Sequence, residues 1–303
     1  MVTTLPLEIA LPFTSQIFAF LFYVLFILIL RRVCLLPEDI SLVIVGLFSV
    51  TPGAFYLVAA YSESIFLCSI AGLIYFTEKW TQSQRFRDWI AAGVFAFIAS
   101  WSRMLGVVLG AFPFFLVFRD GFSLKKKTVA VLLACVAGLG TLFYLVFCQI
   151  YSGHWDAYFR LARVGWDMHP MYLQSLNPLL YIPRPFFEEG ESSLHRGILL
   201  FCLVALFGTL FRDTDRRNRL SYYATGLALF YLTVSGKADM GLQGMTRYAL
   251  PVFFLAIIPI SIVFRSRVIE LLRPRTAVYL FALFLFGFDC FYCFRYMHGM
   301  WVS

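Results

Sequence analysis

Apolar segments follow one another from one end of this chain to the other, and short stretches between them hold most of the charged residues. A membrane-spanning helix needs about 20 apolar residues, within a range of about 17–25. The segments reach this length or fall a little short of it. Their approximate limits are 11–30, 40–60, 64–77, 88–102, 104–118, 128–151, 197–211, 220–235, 248–264 and 276–294. The sequence therefore predicts an all-α, polytopic transmembrane helical bundle of about ten spans, with residues 1–303 forming a single integral membrane domain.

The composition agrees with a bilayer environment. Hydrophobic residues make up 61% of the 303 residues and charged residues 14%, whereas soluble domains average roughly 45–50% and about 25%. The formal net charge is +8. We assign this charge to short cytoplasmic turns. Nucleic acid is therefore not expected as a partner, and the lipid bilayer is the expected partner.

The placement of lysine and arginine predicts the topology, because cytoplasmic turns collect basic residues. If the N-terminus lies outside and the spans alternate, five inside turns hold 17 of the 25 basic residues. Those residues are Arg31, Arg32, Lys79, Arg85, Arg87, Arg119, Lys125, Lys126, Lys127, Arg212, Arg216, Arg217, Arg219, Arg265, Arg267, Arg273 and Arg275. With an even number of spans, the C-terminus also lies outside.

One large extracytoplasmic loop is expected at residues 152–196, and it is rich in Trp, His, Pro and acidic residues. A loop of this length in a compact domain is usually functional or disordered, and its aromatic content argues against disorder. Part of the loop is predicted to form a helix at the membrane surface. Trp155, Tyr158, Phe159 and Ala162 fall at helical spacing, with Arg160 and Arg163 on the other side.

The same loop holds the candidate catalytic carboxylates, Asp156 and Asp167. Each is close in sequence to an imidazole and to an aromatic ring, in His154-Trp-Asp156 and in Trp166-Asp-Met-His169. Carboxylates can act as general bases, and His169 is a candidate for substrate binding. The alternative is that these residues simply decorate a hydrated membrane interface.

A second candidate lies in the short turn Tyr61-Ser-Glu-Ser64. Glu63, with Tyr61 beside it, could bind sugar hydroxyls, a metal ion or an arginine of the same chain. The structural alternative is that Ser62 or Ser64 caps the following helix, with Glu63 in its first turn. The sequence leaves both alternatives open.

Three basic residues are predicted on the outer side, away from the basic turns: Arg103, Lys237 and Arg247. Each could anchor its helix end at the interface. As a set they suit an anionic, lipid-linked substrate, because a guanidinium can hold a phosphate through two hydrogen bonds. No metal site is predicted, since the Cys290/Cys293 pair lies in an apolar segment without a second ligand pair.

These segments resemble the phosphatidylinositol-glycan class V family, which comprises GPI mannosyltransferase II and its prokaryotic relatives. The similarity lies in Ser49-Val-Thr-Pro52, Ala59-Ala-Tyr-Ser-Glu-Ser64, Ser102-Arg-Met-Leu-Gly106, the loop from Gly153-His-Trp-Asp156 to Trp166, and Met245-Thr-Arg-Tyr248. The motifs are short, occur in the family's order, and cover residues 40–300 approximately.

The resemblance implies a glycosyltransferase of the C superfamily, transferring a sugar, usually mannose, from a polyprenyl-phosphate donor to an acceptor on the outer or lumenal face. A carboxylate would activate the acceptor hydroxyl, and cations would stabilise the leaving phosphate. By match, Glu63, Arg103 and Arg247 take binding roles. A divalent cation stays open as a cofactor.

Two departures from the family pattern matter. Leu105 stands where the family has Asn in its Arg-Ser-Asn-Gly turn. The family's first outer loop, with the expected catalytic Asp, has no counterpart before residue 40, so the chain is expected to correspond to the C-terminal portion of such an enzyme. Two alternatives follow: a non-catalytic subunit of a membrane glycosylation complex, or a transporter or flippase of an anionic lipid. A prokaryotic plasma membrane is the expected location, or the endoplasmic reticulum membrane in a eukaryote.

Overall fold

A computed structural model describes residues 6–51, 53–59, 62–166, 169–182, 190–236, 245–273 and 276–297. All regular elements among these residues are helical. The α-helices are α1 (Leu7–Arg32), α2 (Glu38–Ser49), α3 (Glu63–Ser83), α4 (Phe86–Ser102), α5 (Ala111–Phe115), α6 (Leu124–Ser152), α7 (Ala157–Trp166), α8 (Gly190–Arg212), α9 (Leu220–Ser235), α10 (Met245–Val263), α11 (Arg265–Leu271) and α12 (Thr276–Met297). The all-α prediction is confirmed.

Two of these helices are long and apolar enough to cross a membrane, namely Ile9–Arg32 and Leu124–Ser152. A third span results if Tyr248–Val263 and Arg265–Leu271 count as one, although they are bent by 104° at the break between them. Met104–Phe118 and Thr276–Phe291 are shorter apolar stretches. The described residues are therefore compatible with a helical membrane protein.

The chain folds into two compact units. The first consists of Met1–Phe95 and Ile260–Val302, and the second is essentially Ala96–Pro259. The division falls within α4 and within α10. In the first unit, α1 packs along α3, and its buried side includes Phe22 and Phe26, whose rings contact Phe48 of α2.

Helix α2 ends well before residue 60, where the predicted second span ended. The Thr51 hydroxyl donates to the Phe48 carbonyl at 2.8 Å, and Pro52 has no N–H to continue a helical ladder. A short 3₁₀ helix, Ala54–Leu57, follows. The stretch 88–118 is also divided: α4 ends at Ser102, Arg103 is extended, and Met104–Gly110 forms a 3₁₀ helix before α5.

The second unit is built around α6. Its N-terminus is capped by Ser123, whose side chain accepts from the Lys126 N–H, and Gly153 ends it in the left-handed conformation at φ +72°. Gly140 lies so close to α4 that a Cβ there would collide with the Ser100 hydroxyl and the Phe97 carbonyl. Close approach at small residues is typical of helices that pack in a bilayer.

Much of the surface of α6 is apolar. Leu139, Leu142 and Phe143 each expose about half of their area. An apolar surface of this kind on a long helix is typical of contact with lipid or with another protein.

Candidate functional site

Arg103 occupies the break between α4 and the 3₁₀ helix Met104–Gly110. Its backbone is extended, with φ −150° and ψ 137°. The Arg103 N–H donates to the Ala99 carbonyl at 3.2 Å, and the Gly106 N–H donates to the Arg103 carbonyl at 2.8 Å. A Cβ at Gly106 would collide with the Ala99 carbonyl. The glycine therefore permits the tight turn that fixes the position of Arg103.

The guanidinium of Arg103 lies against an aromatic ring of α10. Its central carbon is 5.1 Å from the centre of the Tyr248 ring, within the range of a cation–π interaction. Tyr248 is in the first turn of that helix. Arg247 precedes it in the helical backbone, but the Arg247 side chain lies outside the described residues.

Tyr158 of α7 joins this pair. Burial raises the pKa of the Tyr158 phenol, and the neighbouring Tyr248 phenol raises it further, whereas Arg103 opposes the rise. The Tyr158 ring also meets Tyr144 of α6 edge-to-face, with centroids 6.2 Å apart. We call Arg103, Tyr158 and Tyr248 the Arg103 cluster. It holds one cation beside two phenol groups.

Asp156 lies just before α7, two residues from Tyr158. Its carboxylate accepts a hydrogen bond from Nε of Arg160 at 2.9 Å. This hydrogen bond, together with the positive charge of Arg160, holds the pKa of Asp156 below its usual range. The carboxylate is ionised, as a general base must be, but the ion pair lowers its basicity.

Hydrogen bonds hold the segment 169–182, which follows α7, against α8 and α9. The Met171 N–H donates to the Ser235 carbonyl at 2.8 Å, and the Tyr231 hydroxyl donates to the Tyr172 carbonyl at 3.2 Å. The buried Arg196 of α8 donates to the Leu180 carbonyl at 2.6 Å. His169, at the start of this segment, is exposed.

These contacts gather several predicted outer segments at one end of the second unit. The end of α4, helix α7, the segment 169–182, the end of α9 and the start of α10 all lie there. Tyr248 and Arg196 belong to these predicted segments but were not predicted as site residues, and Tyr158 was expected only at the membrane interface. The sequence could have indicated Tyr248, since it completes the Arg-Tyr motif, whereas nothing in the sequence indicates that Arg196 is buried.

Two basic turns lie at the other end of the second unit, where acidic residues partly balance them. Arg219 pairs with the buried carboxylate of Asp213 at 2.6 Å, and the Tyr223 hydroxyl donates to the same carboxylate at 2.8 Å. Arg217 pairs with Asp120 at 3.2 Å. Ion pairs with carboxylates of the same unit give these two arginines a structural role.

Glu63 belongs to the first unit, where it is fully buried in the first turn of α3. Its charge suits the positive end of the helix dipole. Ser62 occupies the N-cap position but makes no side-chain capping hydrogen bond. Glu63 therefore lies in the first turn, as the structural alternative expected, without the Ser62 side-chain cap of that alternative.

In the same unit, the Asp289 carboxylate of α12 accepts a hydrogen bond from the Phe55 N–H at 3.2 Å. Asp289 lies in the last apolar segment, six residues before Arg295 in the sequence. The Arg295 side chain lies outside the described residues.

The structure brings together Arg103, the Arg247 backbone and the segment that begins at Asp156. The side chains of Tyr61, Asp167 and Lys237 lie outside the described residues, so the predictions on these three residues stay predictions.

No group of three or more His, Cys, Asp or Glu side chains suited to a metal ion occurs within the described ranges. The cluster therefore offers a cation and phenol hydroxyls as its binding groups. Comparisons of the chain with protein-family models, with curated proteins and with solved structures found no match.

Proposed function

We propose that this protein is a polytopic membrane glycosyltransferase of the C superfamily type, with about ten spans. It transfers a sugar, mannose by resemblance, from a polyprenyl-phosphate donor to an acceptor at the outer or lumenal face. The apolar surface of α6 and the two long apolar helices support a bilayer location. In this proposal both chain termini lie outside, in a prokaryotic plasma membrane or an endoplasmic reticulum membrane.

One observation carries the proposal. Three segments that are distant in sequence, and that were each selected by the family resemblance, meet at the Arg103 cluster. They are the turn 102–106, the loop 153–166 and the start of α10. A cation at this point suits the phosphate of a lipid-linked sugar better than it suits a neutral sugar alone.

The geometry of Arg103 is compatible with this role. The contact with Tyr248 places the guanidinium over the face of the ring, and the group carries five N–H donors. One ring contact does not occupy all five donors, so it does not by itself exclude hydrogen bonds from Arg103 to a phosphate. As the glycosyl–oxygen bond breaks, negative charge accumulates on the leaving phosphate, and a cation held in place stabilises it.

Asp156 is the described carboxylate that we assign as the general base. It precedes the helix that carries Tyr158, and its partly exposed position lets an acceptor hydroxyl reach it. It would take the hydroxyl proton as that oxygen attacks the anomeric carbon. Because Arg160 lowers the basicity of Asp156, this step requires the pair to loosen when the acceptor binds.

The test is a transfer assay with the full chain in membrane vesicles, using polyprenyl-phosphate mannose with a radioactive sugar. Replacing Arg103 with Ala should lower the transfer rate by about 10²–10³-fold, the usual loss when one stabilising group of a transition state is removed. Lys125→Ala, an exposed change in the first turn of α6, is the control. Equal rates for Arg103→Ala and the control would reject the proposal.

The Asp156–Arg160 ion pair favours one alternative, a non-catalytic subunit that binds the lipid-linked donor. That role predicts donor binding that depends on Arg103, with no transfer even at saturating donor. Donor affinity is therefore measured beside the transfer rate. Binding without transfer in the unaltered chain supports the subunit, and transfer supports the enzyme.

A further inference from the structure

Helix α7 presents two unlike faces. Ala162 is only 9% exposed, and Tyr158, on the same face, lies at the Arg103 cluster. On the opposite side, Val164 exposes 89% of its surface, and Leu161, on the flank between Val164 and Tyr158, exposes 64%. The sequence pattern grouped Tyr158 and Ala162 with Trp155 and Phe159 on one side of the helix. In the structure Ala162 packs inward, whereas Phe159 is exposed.

Arginines flank the outward apolar residues. At about 100° per residue, Arg160 lies about 40° and Arg163 about 100° from Val164 around the helix, both on the side away from Leu161. Arg160 is paired with Asp156, whereas Arg163 is exposed and has no carboxylate partner among the residues that the structure describes. The outward half of the helix therefore presents Val164, with Leu161 at one edge and the positive charge of Arg163 at the other.

The connection to α6 sets the depth of α7. Helix α6 has 29 residues and a length of about 44 Å, which exceeds the ~30 Å hydrocarbon core of a bilayer. Its last turn exposes Ile150 and Tyr151, and tyrosine is enriched where hydrocarbon meets water. Gly153 ends α6, and α7 begins at Ala157. So short a link keeps α7 near the end of a candidate membrane span.

We propose that the outward face of α7 is a docking surface for an anionic phospholipid leaflet. Leu161 and Val164 enter the boundary between headgroups and acyl chains, and Arg163 binds the headgroup phosphate. The opposite face of the same helix holds Tyr158 at the Arg103 cluster, so the bilayer surface supports the position of that cluster. This inference does not depend on transferase activity.

Photo-crosslinking in vesicles tests the proposal. p-Benzoylphenylalanine replaces Val164 or, as a positive control, Leu139, which is exposed on the middle of α6. The vesicles contain phosphatidylcholine and phosphatidylglycerol in equal parts. After irradiation, mass spectrometry of the labelled peptides identifies the partner. Lipid adducts at Val164, with phosphatidylglycerol enriched over its share in the vesicle, are expected.

The absence of lipid adducts at Val164, or adducts to another protein chain there, while Leu139 yields lipid, would overturn the proposal. The charge is tested by Arg163→Gln, which should lower the phosphatidylglycerol enrichment at Val164 about fivefold, the equivalent of about 1 kcal/mol per arginine at an anionic surface. Lys125→Gln, at the far end of α6, is the matched control. Equal enrichment in both variants would refute the assignment of Arg163.

Discussion

The guanidinium of Arg103 lies 5.1 Å from the centre of the Tyr248 ring, although the two residues come from helical segments far apart in the sequence. The tight turn at Gly106 fixes the first residue, and the start of α10 supplies the second. The contact joins a candidate phosphate-binding cation to the motif that also contains Arg247. Substitutions at this contact can therefore test donor binding separately from the stability of the fold.

Replacing Tyr248 with Leu should weaken donor binding, whereas Tyr248→Phe should preserve it. Both variants fill similar space, but only Phe keeps the ring face that attracts the guanidinium. The loss expected for Leu is about 0.5–2 kcal/mol, the range of cation–π interactions from exposed to desolvated sites. Equilibrium binding of the lipid-linked sugar in detergent measures it. Equal affinities for the Leu and Phe variants would show that the ring face contributes nothing.

Gly140→Ala should destabilise the protein by about 1–3 kcal/mol, the usual cost of overpacking. The added methyl group would collide with the Ser100 hydroxyl and the Phe97 carbonyl, and a carbonyl cannot move without shifting α4. Gly138→Ala is the control on the same helix, since no atom lies within 4 Å of the position that its methyl group would take. In thermal unfolding in detergent, the melting temperature of Gly140→Ala should lie well below that of Gly138→Ala.

Asp213→Asn should also destabilise the chain, by about 1.5–3 kcal/mol. The substitution leaves Arg219 without its buried anionic partner and weakens the hydrogen bond from the Tyr223 hydroxyl. Asp120→Asn breaks the pair with Arg217, which is solvent-exposed, and should cost about 0.2–1 kcal/mol. Denaturant unfolding of the two variants measures the difference. A larger effect at Asp120 would contradict the burial of Asp213.

The titration of Asp156 gives a prediction on pH. Because its pKa is lower in the folded state than in the unfolded chain, the Asp156–Arg160 pair stabilises α7 above the ordinary carboxyl pKa of about 3.9. That stabilisation is lost as the pH falls through the lowered pKa. Carboxyl carbon chemical shifts of labelled protein should show a midpoint below about 3.9 for Asp156. Arg160→Gln should raise the midpoint; an unchanged midpoint would exclude the ion pair as its cause.

The helical segments were predicted well from the sequence, and their interruptions less well. Helix α9 covers Leu220–Ser235, the limits that the apolar run indicated. The break at Arg103 falls between the predicted segments 88–102 and 104–118, whereas the early end of α2 was not predicted, because apolar length alone does not show where the helical hydrogen bonds stop. For the site, Arg103 was selected from sequence, but its contact with Tyr248 was not.

Runs of apolar residues between charged turns were enough to establish the class of fold, because such runs must leave water whatever their partners are. The order of residues also showed which segments carry the charged groups. The folded chain was needed to show which face of α7 is buried, that Arg103 contacts Tyr248 with Tyr158 nearby, and that Asp213 is enclosed by Arg219 and Tyr223. These features depend on close contacts between side chains, and hydrophobic periodicity does not specify which side chains meet.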